Sequence, residues 1–263
     1  MKKHILIILI SFYSYSFGQE ILLINSEYIP YTDTTYVFLP KTANKTDLLP
    51  AIIMMHGWAG SYKQWNEIID LQNIADSLQF IIICPDGFYD SYYINSPIRQ
   101  DSQFESFFWE NFIPAIFNKY PIDKTKLFIT GLSMGGHGAI SLYLKRPDMF
   151  LSAASTSGLL DLTAFPNRST IKGAAGDVED YSNVWKENSA INLLSNIAGK
   201  NKTIYIDCGT EDFLYQTNIK FKEQCEILGI KISSKFQPGT HDKEYWNKSI
   251  KDHFSFFSYI LKK

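Results

Sequence analysis

Gly131-Leu132-Ser133-Met134-Gly135 is the sharpest chemical signal in this chain. The pattern G-x-S-x-G sets a serine on a tight strand-to-helix turn. The flanking glycines are needed because a side chain two residues before or after the serine would strike neighbouring backbone. Such a turn presents the Ser133 hydroxyl at the carboxyl edge of a sheet, and the helix that follows points its first amides at the same place. A hydroxyl is a poor nucleophile alone, so the chemistry needs a base and a group that orients the base.

Five histidines are available: His4, His56, His137, His241 and His253. With an elbow of this kind the order along the chain is serine, acid, histidine. His241, in the loop Pro238-Gly239-Thr240-His241-Asp242, is the expected base. His253 reads as a helix-face residue. His137, four residues past Ser133 on the same helix, is badly directed for a base that comes from a facing loop. His56, at the end of an apolar strand, reads as structural. For the acid, Cys208-Gly209-Thr210-Glu211-Asp212 offers Asp212, with Glu211 second and Asp207, inside the strand, third. Acyl chemistry also needs two amides aimed at a developing oxyanion. Met134, after the serine, supplies one, and Trp58 in His56-Gly57-Trp58-Ala59-Gly60-Ser61 is the expected second. Gly57, Tyr92, Tyr93 and Trp246 are the expected substrate contacts.

These residues need a sheet with loops gathered at one edge, and the apolar pattern predicts one. Ala51–Met55, Phe80–Cys84 and Leu127–Thr130 are short continuous apolar runs, as in strands buried on both faces. Ile21–Tyr28 and Thr34–Leu39 read as two further strands, as do Leu151–Ser155, Thr203–Cys208 and Lys231–Phe236. Helical spacing falls at Trp65–Leu78, Phe104–Tyr120, Met134–Lys145, Leu214–Leu228 and Tyr245–Leu261, with a break expected at Pro114. Strands alternating with helices predict an α/β fold with a mainly parallel sheet and helices on both faces. Residues 160–200 are polar and read as an irregular insertion with one helix near Ala190–Ile197.

With 25 Lys and Arg against 27 Asp and Glu, the net charge of −2 gives no footprint for nucleic acid. Three cysteines, Cys84, Cys208 and Cys225, make neither a disulfide framework nor a metal motif. No metal or cofactor is expected. Residues 1–18 read as a secretory signal: Lys2 and Lys3, an apolar run too short to span a bilayer, then Ser16 and Gly18 before Gln19. A single domain over 19–263 is then expected outside the cytoplasm, secreted or periplasmic, with no membrane span in the mature chain. Its aromatic content of 15% is high, and Trp58, Trp65, Tyr92, Tyr93, Phe213 and Trp246 fall on or near the loops of the expected catalytic edge.

Several segments together resemble the esterase-D-like family of tributyrin esterases, S-formylglutathione hydrolases, and feruloyl and acetyl-xylan esterases. His56-Gly57 with Gly60-Ser61 and Trp65 resembles that family's HGxGGSxxxW opening. Ser91–Pro97 is similar to its SWYxDSP stretch, Gly131–Ala139 to its GLSMGGxGA elbow, Cys208–Leu214 to its acid loop, and Gly239–Asp242 with Tyr245-Trp246 to its histidine loop. The resemblance runs over residues 30–260. It implies an α/β-hydrolase fold and a Ser133, Asp212, His241 triad acting on a small-molecule or polysaccharide-linked ester. Tyr92 and Asn95 stand where the family has Trp and Asp, which bears on the substrate. The alternatives are an acyltransferase that uses the same triad with a sugar acceptor, and a thioesterase like S-formylglutathione hydrolase.

Overall fold

Alternate residues of one apolar strand feed two separate cores. In β3 (Leu49–Met55), Ala51, Ile53 and Met55 join the larger core, while Ile52 and Met54 join the smaller one on the opposite face. A strand with helices over both faces has no solvent side, which is why β3 and β4 (Ile81–Cys84) are uninterrupted apolar runs. The computed structural model describes residues 18–42 and 47–263. The expected signal therefore lies, except for Gly18, outside the described residues.

Around these two strands the sheet is completed by β1 (Gln19–Ile24), β2 (Asp33–Phe38), β5 (Ile122–Gly131), β6 (Ser152–Thr156), β7 (Thr203–Gly209) and β8 (Lys231–Gln237). The eight strands lie in the order β1-β2-β4-β3-β5-β6-β7-β8. β1, β2 and β4 pair antiparallel at one edge, and every later pairing is parallel. Parallel pairing puts the carboxyl ends of β3, β5, β6, β7 and β8 along one side, where ligands of such sheets bind. At the far edge, β8 turns Lys231, Ser233 and Lys235 outward, a charged edge that discourages further strand pairing.

Helices α1 (Gln64–Ile68), α2 (Leu71–Leu78) and the closing helix bear on the smaller core, through Trp65, Leu71 and Ala75 at one end and Ile250, Phe254 and Phe257 at the other. The expected single helix over 65–78 is two, because the Asp70 carboxylate caps a fresh start by accepting the Asn73 amide at 3.0 Å. On the other face lie α3 (Phe104–Phe107) and α4 (Ile113–Lys119), joined by a π turn over Phe108–Phe112. Pro114 cannot bond to the preceding turn, and the widened turn ahead of it removes the clash that was expected to break the helix. The elbow helix α5 (Met134–Lys145) is buried from Met134 through Leu144.

Residues 160–200 correct the sequence expectation. They are not irregular but helical, with α6 (Ser169–Ala175), α7 (Ser182–Asn188) and 3-10 turns at Leu162–Ala164 and Ala190–Asn196. Ile171, Ala174, Trp185 and Leu194 sink into the larger core, and the Trp185 indole donates to the Gly176 carbonyl at 3.0 Å. The last two helices are α8 (Tyr215–Ile227) and α9 (Lys243–Leu261). Among the described residues, no helix is long and apolar enough to cross a membrane.

Candidate active site

Ser133 sits between β5 and α5 with φ 53° and ψ −116°, a backbone conformation that costs a non-glycine residue about 1–3 kcal/mol. Neighbouring strands hold it there. The Ser133 amide donates to the Thr156 carbonyl at 3.0 Å, and Leu132 donates to Met55 at 3.3 Å. The elbow glycines are steric requirements. A Cβ on Gly131 would lie 2.2 Å from the Gly135 carbonyl oxygen, and one on Gly135 would lie 2.3 Å from that of Met55.

Two later loops meet over this serine. Gly209 and Gly239 touch through backbone, since a Cβ on Gly209 would stand 2.1 Å from the Gly239 oxygen. The loops are laced by Thr210 N–H to the Gln237 carbonyl and Glu211 N–H to the Gly239 carbonyl, both at 3.0 Å. His241 then reaches Ser133 Oγ with Nε2 at 2.9 Å and Asp212 Oδ2 with Nδ1 at 2.8 Å. Asp242 fixes the exit of this loop. Its carboxylate caps α9 by accepting the Tyr245 amide at 2.8 Å and also accepts from the Thr240 hydroxyl. The rings of Phe213 and Trp246 flank the imidazole, with centroids 4.7 and 5.1 Å away.

The three carboxylates considered for the acid have separate tasks. Burial pushes Asp212 up, but the hydrogen bond and charge of His241, with the Leu214 amide at 2.8 Å, outweigh it and hold the carboxyl below its ordinary value. An ionised Asp212 accepts from Nδ1–H, so Nε2 carries the lone pair that faces the Ser133 hydroxyl. Asp207 is fully buried on the far side of β7, where it binds His253 Nε2 at 2.5 Å and the Thr156 hydroxyl at 2.6 Å. His253 in turn meets the Thr130 hydroxyl at 2.7 Å. Glu211 braces the histidine loop: the Gly239 amide first and the Thr210 hydroxyl second hold its carboxyl below the ordinary range, at 2.6 and 2.9 Å. We expect Glu211→Gln to lower kcat/KM by less than about tenfold, because water can take over a bond at so exposed a site. A loss as large as that of Asp212→Asn would make Glu211 the orienting acid.

His137 is fully buried inside α5, where burial first and the Lys145 charge second push its imidazole down to about 3. The ring stays neutral and is packed against Tyr92, ring centroids 6.5 Å apart, with no hydrogen bond from the imidazole to Ser133 or Asp212.

Beneath the oxyanion loop, His56 ties two turns together. Nδ1 donates to the Gly57 carbonyl and Nε2 accepts from the Gly87 amide, both at 2.7 Å. The Gly57 amide is held by Gln64 Oε1 at 2.8 Å. Among the described residues, the amides of Trp58 and Met134 find no protein acceptor, unlike those of Ala59, Gly60, Leu132, Ser133 and Gly135 around them. Two free donors beside a serine nucleophile suit an incoming oxyanion.

Trp58, Tyr92, Ser133, Met134, Leu159, Arg168, Phe213 and Leu214 line a narrow pocket with about 10 Å³ of free volume. A larger groove lined by Thr163, Lys186, Glu187, Asn192 and Leu193 shares no residue with it and contains no histidine to activate a hydroxyl. Three expected substrate contacts, Tyr93, Trp246 and Gly57, are corrected. Tyr93 is buried under the loop, its hydroxyl donating to the His56 carbonyl at 2.8 Å. Trp246 is buried behind His241 and does not line the pocket. Trp65, near the expected catalytic edge, is buried too and donates to the Met55 carbonyl at 2.9 Å. Gly57 also stays outside the lining and acts through its backbone. Arg168, from the polar stretch after Ser133, was not expected and lies in the pocket. Nothing in its sequence neighbourhood marks it, because only the folding of 160–200 brings it there.

The Esterase family model matches residues 26–257. An acetyl esterase of Caldicellulosiruptor saccharolyticus is 26% identical over 226 residues, covering 81% of this chain and 84% of that protein. An S-formylglutathione hydrolase of Arabidopsis thaliana is 24% identical, covering 90% and 91%. The solved structure of a ferulic acid esterase superposes with a TM-score of 0.77 at 25% identity, covering 93% of this chain and 99% of that one. Serine elbow, convergent loops and a match over most of its length agree: the chain belongs to the Esterase family, as a carboxylic ester hydrolase of the α/β-hydrolase fold.

Proposed function

We propose that this protein is an exported serine esterase that cleaves short-chain or polysaccharide-linked acyl esters through an acyl-enzyme on Ser133. The observation that carries this reading is the unbroken hydrogen-bond chain Ser133–His241–Asp212, at 2.9 and 2.8 Å. Ser133 Oγ attacks the ester carbonyl as His241 Nε2 takes its proton. Asp212 holds the resulting imidazolium without taking the proton itself. The amides of Met134 and Trp58 receive the oxyanion. On collapse, His241 Nε2 returns the proton to the leaving alkoxide, and the alcohol departs. Water then attacks the acyl-enzyme, giving its proton to His241. The acid leaves and Ser133 regains its hydrogen.

So narrow a pocket favours a short acyl group. The exposed rings of Trp58 and Tyr89, 5.1 Å apart at centroid, and of Phe213 favour an aryl or sugar moiety stacked at the mouth. An acetyl esterase and a ferulic acid esterase among the similar proteins support the same substrate class. The signal-like pattern of residues 1–18, a basic start, a short apolar run and small residues before Gln19, supports export.

A panel of p-nitrophenyl acyl esters, acetylated xylan and methyl ferulate, assayed on residues 19–263, tests the proposal. Short acyl chains are expected to turn over fastest, with free acid as product. A chain that hydrolyses none of these esters overturns it, and acyl sugar formed in place of free acid when a sugar acceptor is added makes the protein a transferase.

A further inference from the structure

The pocket around Ser133 contains one cationic group, and the esterase chemistry proposed above makes no use of it. Arg168 lines the pocket with its guanidinium carbon 4.8 Å from the centroid of the Phe213 ring, the ring that also packs on His241. It reaches the neighbourhood of the Tyr92 hydroxyl as well. That phenol is raised by burial first, and its bond to Thr170 and the Arg168 charge oppose the rise. Among the described residues, no carboxylate pairs with Arg168. Asp90, whose Oδ2 would lie 3.8 Å from a Cβ on Gly173 of α6, is taken by Arg99 at 2.8 Å. Arg168 is therefore held over an aromatic ring, half-buried beside the nucleophile, in reach of the Tyr92 hydroxyl and without a carboxylate partner among the described residues.

A planar fork of donors in a narrow pocket is matched by a carboxylate, which it can bind through two parallel bonds. Resting on the proposed esterase reaction, we infer that Arg168 selects esters that carry a carboxylate near the scissile bond. The carboxylate can belong to the acyl part or to the alcohol part. Both sources use the same recognition chemistry, and two substrate pairs tell them apart.

The acyl pair is mono-p-nitrophenyl succinate against p-nitrophenyl butyrate. The alcohol pair is p-acetoxybenzoate against p-tolyl acetate. All rates are corrected for hydrolysis without enzyme. In one pair the anionic member is expected to have kcat/KM at least about tenfold above its neutral partner, since a hydrogen-bonded charge pair is worth that order of selectivity. Arg168→Gln should collapse that ratio toward one, and Arg168→Lys should restore part of it. A neutral arginine-for-packing role would instead lower both members together. Wild-type ratios near one in both pairs, or equal losses on anionic and neutral esters in Arg168→Gln, overturn the inference while leaving the esterase reading intact. Failure to hydrolyse any of the four esters removes the esterase reading itself.

Discussion

Ser133→Ala is expected to lower turnover of a short-chain ester by at least about 10⁴-fold while the protein still folds. The substitution deletes one oxygen from a partly open site and leaves every backbone bond of the elbow in place. Nothing else in the pocket can replace that oxygen. His137 is neutral and buried, and the three thiols at Cys84, Cys208 and Cys225 are all buried. His241→Ala should cost about as much, because nucleophile and base act as one unit, and the double mutant should be scarcely worse than either alone. Asp212→Asn should cost about 10⁴-fold. An asparagine that still accepted at Nδ1 would leave an uncharged partner for the imidazolium, and one turned to donate would force the wrong tautomer of His241. His137→Ala, by contrast, opens a cavity in α5 and should be read mainly in the melting temperature. Steady-state rates and circular-dichroism melts on these five variants decide the matter. A Ser133→Ala protein that keeps most of its activity removes the triad.

The parts of this arrangement that sequence exposes are those where local rules coincide with the global need. Ile81–Cys84 must be a central strand because nothing polar interrupts it, and Gly131 to Gly135 must be a turn because only glycine avoids the backbone at 2.2–2.3 Å. Ser133, Asp212 and His241 are brought together as the expected triad geometry requires. What sequence does not expose is the direction of side chains within a turn. Glu211 and Asp212 are adjacent, and only the lacing to Gly239 decides which faces the imidazole and which the backbone of the histidine loop. Tyr92 and Tyr93 are adjacent too. Both have left-handed backbone, φ 50° and 61°, and that pair of turns sends Tyr92 to the pocket and Tyr93 beneath His56. Arg168 is the extreme case. Its place beside Ser133 depends on how α6 and α7 pack into the larger core, a tertiary result with no local signature.

A second large effect lies under the oxyanion loop, at Asp33. This first residue of β2 is fully buried, with Oδ1 accepting the Asp86 amide at 3.1 Å and Oδ2 at 2.5 Å from the Thr35 hydroxyl. Burial, and after it the neighbouring Asp86 carboxylate, push its carboxyl up to about 7, against the bonds from Thr35 and the Asp86 amide. The unfolded chain releases the same proton near its ordinary value of about 3.9. Between those values the folded state holds a proton that the unfolded state has lost, so stability falls as pH rises. The fall ends once the folded group has also ionised. Asp33→Asn keeps the shape and both contacts, since its oxygen can accept from Asp86 and its amide can donate to the Thr35 oxygen, but it cannot ionise. The variant should therefore gain on the wild type as pH rises from about 5 to about 8, by about 3 kcal/mol at most, from two units of proton linkage. Urea unfolding of both proteins across that range measures the difference directly. Parallel pH profiles would mean that Asp33 remains ionised in the folded protein, leaving Asp86 and Asp33 as a buried pair of like charges side by side.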